Sequence, residues 1–339
     1  MRTVQDYREQ SAVWHFLTGV LPGSKVPHAL LITGISGTGK RSLANLIARI
    51  LLCEGSEKPC GHCKSCVQME KLEHPDYTVL RPGEPIAQGV DKGKKIIPVD
   101  DIREVVRIVR SNPYESAHRV IVIEQAEAMN ANAQNALLKT LEEPPEYAHF
   151  LLTTEFAGTL LPTVLSRCQE LKLLPWPEDW LAGLLETRGT EHNRAVSAAR
   201  LSGGSIGKAL AIAGDADYWT HRDELMQGFF CSARRSDVAR VSDRWKDSKD
   251  SAGEIFDILE DMIRTLMMVR TGRADAALLD AYPVEWRRMA GEADLRVFAS
   301  LLDALANARL MQQNQVTWQA VMEQLLLKFM EEKDQWQKS

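Results

Sequence analysis

The sequence predicts an α/β module on a mainly parallel five-stranded sheet, followed by a small helical domain and a larger all-helical one. Three observations carry this expectation. The first 170 or so residues alternate short apolar, β-rich runs with helical patterns. The glycine-rich loop Gly34-Ile35-Ser36-Gly37-Thr38-Gly39-Lys40 falls between one such run and a helix. Past Leu174-Pro175-Trp176-Pro177 the β-rich runs stop, and apolar residues recur at three- and four-residue spacing instead.

Ala29 to Thr33 reads as the first strand, and Leu43 to Leu52 as the helix after the loop. Tyr77 to Leu80, Val120 to Ile123, Phe150 to Leu152 and Leu171 to Leu174 supply the other strands. A helix starts near Asp100 and turns Ile102, Val105, Val106 and Val109 inward; a short one covers Thr159 to Leu165. Two prolines at 175 and 177 stop both helix and central strand, which places a hinge there. In the small helical unit that follows, the glycines of Leu201-Ser202-Gly203-Gly204-Ser205 let one helix stop and another start. From Tyr218 to Phe329 the pattern is helical throughout. Ile255, Ile258, Leu259 and Met262 form one stripe, Phe298, Leu301, Leu302 and Leu305 another, and Gln312 to Lys328 is a further helix. Glu331 to Ser339 is polar and expected to fray. The expected division is therefore 1–174, with an insertion at 53–66, then 175–214, 215–332 and a tail at 333–339.

Composition narrows the function classes. With 45% hydrophobic and 26% charged residues the chain of 339 residues is ordinary globular material, not a disordered, collagen-like or small disulfide-scaffold chain. Its 41 Lys plus Arg against 46 Asp plus Glu exclude a basic nucleic-acid coat, while a local basic face stays open. MRTVQDYREQ lacks the basic-then-apolar pattern of a secretion signal, and no run of 18 apolar residues occurs, so a cytoplasmic protein with no membrane partner is expected.

The loop after the first strand is a phosphate loop in form. Gly34, Gly37 and Gly39 free backbone N–H groups for phosphate oxygens, and Lys40 would sit near the outer phosphates. A plain glycine-rich turn is the alternative. The next residue should carry a hydroxyl for Mg²⁺ but is Arg41, which has no acceptor; Ser42 is rotated about 100° away. The third strand should end in Asp-Glu and ends in Glu124-Gln125, so the base that polarises water is missing. Glu127 is two residues too late. Hydrolysis by this chain is not expected, and nucleotide binding by the degenerate loop is weak or absent.

Four of the six cysteines, Cys53, Cys60, Cys63 and Cys66, crowd into one insertion. Knuckles of the C-x2-C type converge thiolates on one tetrahedral Zn²⁺, a closed and therefore structural site. His62 in place of one thiolate, an iron–sulfur centre or free thiols are the alternatives. Cys168 and Cys231 read as isolated thiols.

Together with these, His28-Ala29-Leu30, His74-Pro75-Asp76, Asn132-Ala133-Gln134-Asn135-Ala136-Leu137-Leu138-Lys139 with Leu141-Glu142-Glu143-Pro144-Pro145, and Ser166-Arg167-Cys168 make a recognisable set. The chain resembles the AAA+ clamp-loader subunits of the bacterial DNA polymerase III, densely over residues 10 to 175 and only in architecture beyond. The resemblance implies a pentameric ring held by a collar of C-terminal helices. Its partners would be motor subunits of the gamma/tau type and a delta subunit, with the sliding clamp and primed DNA engaged through the complex. It further implies that Ser166-Arg167-Cys168 supplies Arg167 as an arginine finger to a neighbour's ATP site; a solvated arginine at a helix end is the plain alternative.

In the same resemblance the nucleotide-sensing arginine of active members is replaced by Gly207, and Thr153 or Thr154 stands at the first sensor position. Arg41, Gln125 and Gly207 fit the non-hydrolysing member of the family. They speak against the alternatives, an ATP-hydrolysing motor subunit of the loader or a related DNA repair ATPase. Asn135 and Lys139 share a helix face at i, i+4, where a helix-end network with Lys139 paired to Glu143 is expected and the resemblance adds contact with a neighbouring module. Arg103, Arg107 and Arg110 line up at i, i+4 and i+7 and could track duplex phosphates or simply face solvent; Lys92, Lys94 and Lys95 form a second basic stretch.

Overall fold

The computed structural model describes residues 3–21, 26–87, 95–231, 235–314 and 316–338. Strands β1 (Ala29–Thr33), β2 (Tyr77–Leu80), β3 (Arg119–Ile123), β4 (Ala148–Thr154) and β5 (Gln169–Lys172) form one sheet in the order β2-β3-β4-β1-β5. All neighbours are parallel, with Leu31 beside Leu152, Ile121 beside Phe150 and Val79 beside Val122. Parallel strands need crossovers. After α1 (Ser11–His15), these are α2 (Lys40–Leu52) with α3 (Lys64–Lys71), then α4 (Val99–Val109), α5 (Ala131–Glu142) and α6 (Pro162–Leu165).

β1, β3 and β4 are buried at every position, as strands covered on both faces must be. On one face Ile102, Val105 and Val109 of α4 and Leu137 and Leu141 of α5 pack on Ile121, Phe150 and Leu152. α2 buries Leu43, Ile47 and Leu51 and packs against β1, β3 and β4. One polar residue inside α5 has a local reason: Gln134 donates to the Met129 carbonyl at 3.0 Å and accepts the Leu161 N–H at 2.7 Å.

The fifth strand lies two residues earlier than the apolar run 171–174 suggests. It is an edge strand with Gln169, Glu170 and Lys172 exposed, so its sequence carries no apolar signature. It pairs with Leu30 to Thr33 of β1, just before the phosphate loop begins. Leu173 closes the pairing by donating its N–H to the Thr33 carbonyl at 2.8 Å.

Two compact units divide the chain, residues 1–177 with 204–207, and residues 178–203 with 208–339. The second is helical: α7 (Glu178–Glu186), α8 (His192–Leu201), most of α9 (Ile206–Gly214), α10 (Ala216–Leu225), α11 (Val238–Ser242), α12 (Ala252–Arg270), α13 (Val284–Glu292), α14 (Leu295–Gln313) and α15 (Trp318–Lys338). Its core is aromatic, with Phe230 edge-on to Trp286 at 4.8 Å and Phe229 edge-on to Phe329 at 5.1 Å. Two of its buried indoles find acceptors, Trp286 donating to the Phe230 carbonyl at 2.9 Å and Trp318 to the Trp245 carbonyl at 2.6 Å.

The final helix corrects two expectations. It starts at Trp318 instead of Gln312, because Gln312 and Gln313 finish α14. It also runs through the polar stretch expected to fray, since Glu332 is buried, paired with Lys328 at 2.6 Å and accepting the Ser300 hydroxyl at 2.7 Å. Among the described residues no helix is long and apolar enough to cross a membrane.

Candidate functional site

The phosphate loop joins β1 to α2. Gly37 (φ 72°) and Gly39 (φ 99°) take left-handed backbone that a side chain would strain, which is why the sharp strand-to-helix turn uses glycine there. Lys40 turns back into the loop. Its Nζ lies 2.8 Å from the Gly34 carbonyl, 2.9 Å from that of Ile35 and 3.7 Å from Glu155. Burial holds its amine below the usual lysine range, with Glu155 and Glu127 opposing the shift.

Other loop carbonyls are held as well. The Gly207 N–H donates to the Gly37 carbonyl at 2.9 Å, and the Trp176 indole donates to the Thr38 carbonyl at 2.9 Å. Packing is so close that a Cβ on Gly37 would lie 2.2 Å from the Ser205 hydroxyl, and one on Gly207 would lie 3.3 Å from the Gly37 Cα. At Gly207, therefore, backbone packs against backbone.

Glu124, at the end of β3, is 9% exposed and meets two guanidinium groups. Arg41 Nε lies 3.0 Å from one carboxylate oxygen and Arg81 Nε 3.1 Å from the other. Burial would lower the pKa of Arg81, but Glu124 outweighs it and the net shift is upward. Arg41 and Glu124, read separately from the sequence, thus form one ion cluster. Arg81 belongs to it and carried no sequence signal, since it lies beyond β2, and only strand pairing brings it to β3. Gln125 follows in left-handed backbone (φ 53°), its N–H donating to Thr153 Oγ1 at 3.2 Å. Thr154 Oγ1 accepts from Phe156 N–H, and Glu127 from Glu155 N–H. Both threonines are buried.

Cys53, Cys60, Cys63 and Cys66 bring their Sγ atoms within 4.8 Å of one another. Cys53 and Cys63 are 3.9 Å apart, Cys60 and Cys66 4.0 Å. Tetrahedral zinc with Zn–S of about 2.3 Å sets sulfurs about 3.8 Å apart, so the cluster fits the ion. Backbone N–H groups of Cys60, Cys63 and Cys66 point at preceding sulfurs at 3.3 to 3.4 Å, which favours thiolates. The N–H groups of His62 and Cys63 pull the Cys60 thiol down to about 6, whereas burial pushes Cys66 up to about 12. His62 is exposed and its Nδ1 faces the Cys60 carbonyl at 2.9 Å, which leaves it outside the sulfur cluster. Behind the cluster, Ser65 donates to Glu54 at 3.1 Å and meets His74 Nε2 at 3.1 Å. His74 Nδ1 accepts the Asp76 N–H at 3.0 Å, and Asp76 accepts N–H groups from Tyr114, Glu115 and Ser116 at 2.7 to 2.9 Å. The His74-Pro75-Asp76 motif thus ties the cysteine insertion to the loop before β3.

Arg167 follows α6 and is partly exposed. It donates to Glu142 at 2.6 Å, to the Thr163 carbonyl at 2.7 Å and to Ser166 at 3.1 Å. Arg103 and Arg107 are exposed on α4, Arg110 at its end. Arg103 pairs with Asp100 at 2.8 Å and Arg107 with Glu104, so two of the three guanidiniums have local counter-charges. Asn135 and Lys139 are both exposed on α5, and Lys95 is exposed; Lys92 and Lys94 lie outside the described residues.

A family model described as DNA polymerase III, delta subunit, matches residues 9–177. DNA polymerase III subunit delta-prime of Escherichia coli strain K12 is 38% identical over 213 residues, 62% of this chain and 61% of that protein, so the match spans about three-fifths of the relative. The Bacillus subtilis strain 168 subunit of the same name is 26% identical over 328 residues, 95% of this chain and 96% of that one. A crystal structure of a gamma-subunit-related protein of DNA polymerase III from Thermotoga maritima superimposes with a TM-score of 0.41 at 16% identity, covering 94% of this chain and 99% of that one.

Proposed function

Since this chain belongs to the DNA polymerase III delta-prime family, we propose that it is the non-hydrolysing member of a pentameric clamp-loader ring. It lends Arg167 to a neighbour's ATP site and helps load a sliding clamp on primed DNA. The observation that carries the non-hydrolysing part is the Arg41–Glu124–Arg81 cluster. A magnesium ion needs the carboxylate and the hydroxyl that should follow Lys40. Here the hydroxyl is replaced by a guanidinium, and that guanidinium with a second one neutralises the carboxylate. Gln125 offers no base. Lys40, which would reach the outer phosphates, is spent on its own loop.

The arginine finger reading draws on the placement of Arg167 at the end of α6, partly exposed, where a guanidinium would stabilise the negative charge that spreads over a γ-phosphate in the transition state. Cys53, Cys60, Cys63 and Cys66 would hold a structural Zn²⁺, whose chemistry is confined to fixing the insertion. The proposed division remains a module at 1–174, a small helical domain at 175–214 and a collar at 215–332, with gamma/tau-type motors and a delta subunit as ring partners. Arg103, Arg107 and Arg110 would face duplex phosphates, with Arg103 giving up its pair with Asp100 and Arg107 its pair with Glu104.

Reconstitution tests this. The chain is mixed with motor and delta subunits, clamp and primed DNA, and ATP hydrolysis is compared for wild type and Arg167→Ala. The expected result is a large fall in turnover with ring assembly intact, and no magnesium-dependent hydrolysis by this chain alone. Unchanged turnover in the variant removes the finger role; hydrolysis by the isolated chain that disappears in Lys40→Ala removes the non-hydrolysing one.

A further inference from the structure

Arg167 is held from two sides. Its Nη1 donates to the Thr163 carbonyl at 2.7 Å and to Ser166 at 3.1 Å, and its Nη2 donates to Glu142 Oε1 at 2.6 Å. A guanidinium has five N–H donors in a rigid fork. These contacts use three and fix the plane of the group, while Nε–H and one Nη2–H stay open. Glu142 is otherwise badly placed: it is the last residue of α5, where the helix dipole disfavours a carboxylate. Nothing in the α5 register requires an acid there.

We propose that Glu142 is a positioning residue that holds the Arg167 guanidinium in a preformed orientation, ready for the γ-phosphate of a neighbouring subunit. This rests on the finger reading of Arg167. The physical basis is preorganisation. A free arginine must be ordered when it meets the transition state, and that ordering opposes catalysis. A side chain already fixed by a carboxylate and a helix-end carbonyl has lost that freedom beforehand. One face of the fork then stays on Glu142 while the other meets phosphate, so the pair need not break.

The test uses the assembled loader with clamp and primed DNA, and reads steady-state ATP hydrolysis against ATP concentration for wild type, Glu142→Ala, Glu142→Gln, Arg167→Ala and the double variant. Glu142→Ala is expected to lower kcat about fivefold with KM for ATP unchanged. Glu142→Gln keeps an oxygen acceptor and should retain most of the rate. The double variant should be no worse than Arg167→Ala. Thermal melting of the isolated variants separates this from a stabilising role, which would lower Tm and leave kcat alone. If Arg167→Ala is impaired while Glu142→Ala runs at or above the wild-type rate, the positioning role is wrong, and a rise would mean that Glu142 restrains the arginine. If Arg167→Ala itself is unimpaired, the finger reading falls and the role of Glu142 falls with it.

Discussion

His149, in β4, stands between the Pro27 carbonyl, 3.3 Å from its Nδ1, and the His118 ring, whose Nδ1 is 3.1 Å from its Nε2. The carbonyl can only accept, so His149 Nδ1 carries the proton and Nε2 accepts from His118. A second proton has no acceptor. Burial, with His118 and His28 close by, pushes the His149 pKa down to about 4 despite the opposing pull of the Pro27 carbonyl, and burial lowers His118 too. In the unfolded chain His149 titrates at its ordinary 6.5. The unfolded state therefore binds more protons than the folded state between those two values. Stability should be full above pH 6.5 and fall as pH drops toward 4, by up to about 1.4 kcal/mol per pH unit for this one group. Urea midpoints at pH 7, 6 and 5 check this: wild type should lose stability along the series and His149→Gln should lose less. Parallel slopes would mean that other groups govern acid sensitivity. At this same scale the sequence showed single residues clearly and their pairings poorly. Arg41, Glu124 and Arg167 were each legible because a motif assigns them a position. Arg81 and Glu142 were not, because each is joined to its partner only when strands or helices far apart in the chain are packed.

Elements were legible where periodicity and burial agree. β1, β3 and β4 announce themselves as apolar runs because they are buried on both faces, and α4 does so through Ile102, Val105 and Val109. The edge strand β5 was legible only through Leu171, which placed it two residues late, and the polar end of α15 was not legible, since exposure in one and side-chain pairing in the other weakens the apolar signature. The cysteine insertion is a special case, an element whose order depends on four side chains instead of a core. Its helix α3 has eight residues, too short to be stable alone. What fixes it is the sulfur cluster on one side and the Ser65–His74 contact on the other. Purified protein should carry one zinc per chain, and Cys60→Ser with Cys63→Ser should carry none. Stripping the metal with a chelator should raise amide exchange over residues 53–73 and leave β3 and β4, buried in the sheet, protected. Unchanged exchange after metal removal would show that Ser65, His74 and Glu54 suffice to order the insertion.

Over the whole chain, the two compact units have separate cores and separate reporters. The helical unit contains a buried ion pair that ties α8 to α12: Arg200 Nη1 lies 2.9 Å from Asp261 Oδ1 and 2.8 Å from Thr265 Oγ1. The two side chains are 11% and 1% exposed. Burial drives the Asp261 pKa upward even with Arg200 and Arg222 opposing it, so the carboxylate depends on those cations. Removing one partner of such a pair costs more than the pair is worth, because the remaining charge stays buried. α7 and α8 lie in one compact unit with the C-terminal helices. Of the eight tryptophans, Trp14 and Trp176 lie in the first unit and the other six in the second, so intrinsic fluorescence follows mainly the helical unit. Metal release into a chromophoric chelator follows the first, where the cysteines are. Arg200→Ala should lower the stability read by fluorescence by about 3 kcal/mol. The metal-release curve should not move, provided the units unfold independently. If both curves shift together, the two cores unfold as one cooperative body, and the buried pair stabilises the α/β module as much as the helices that contain it.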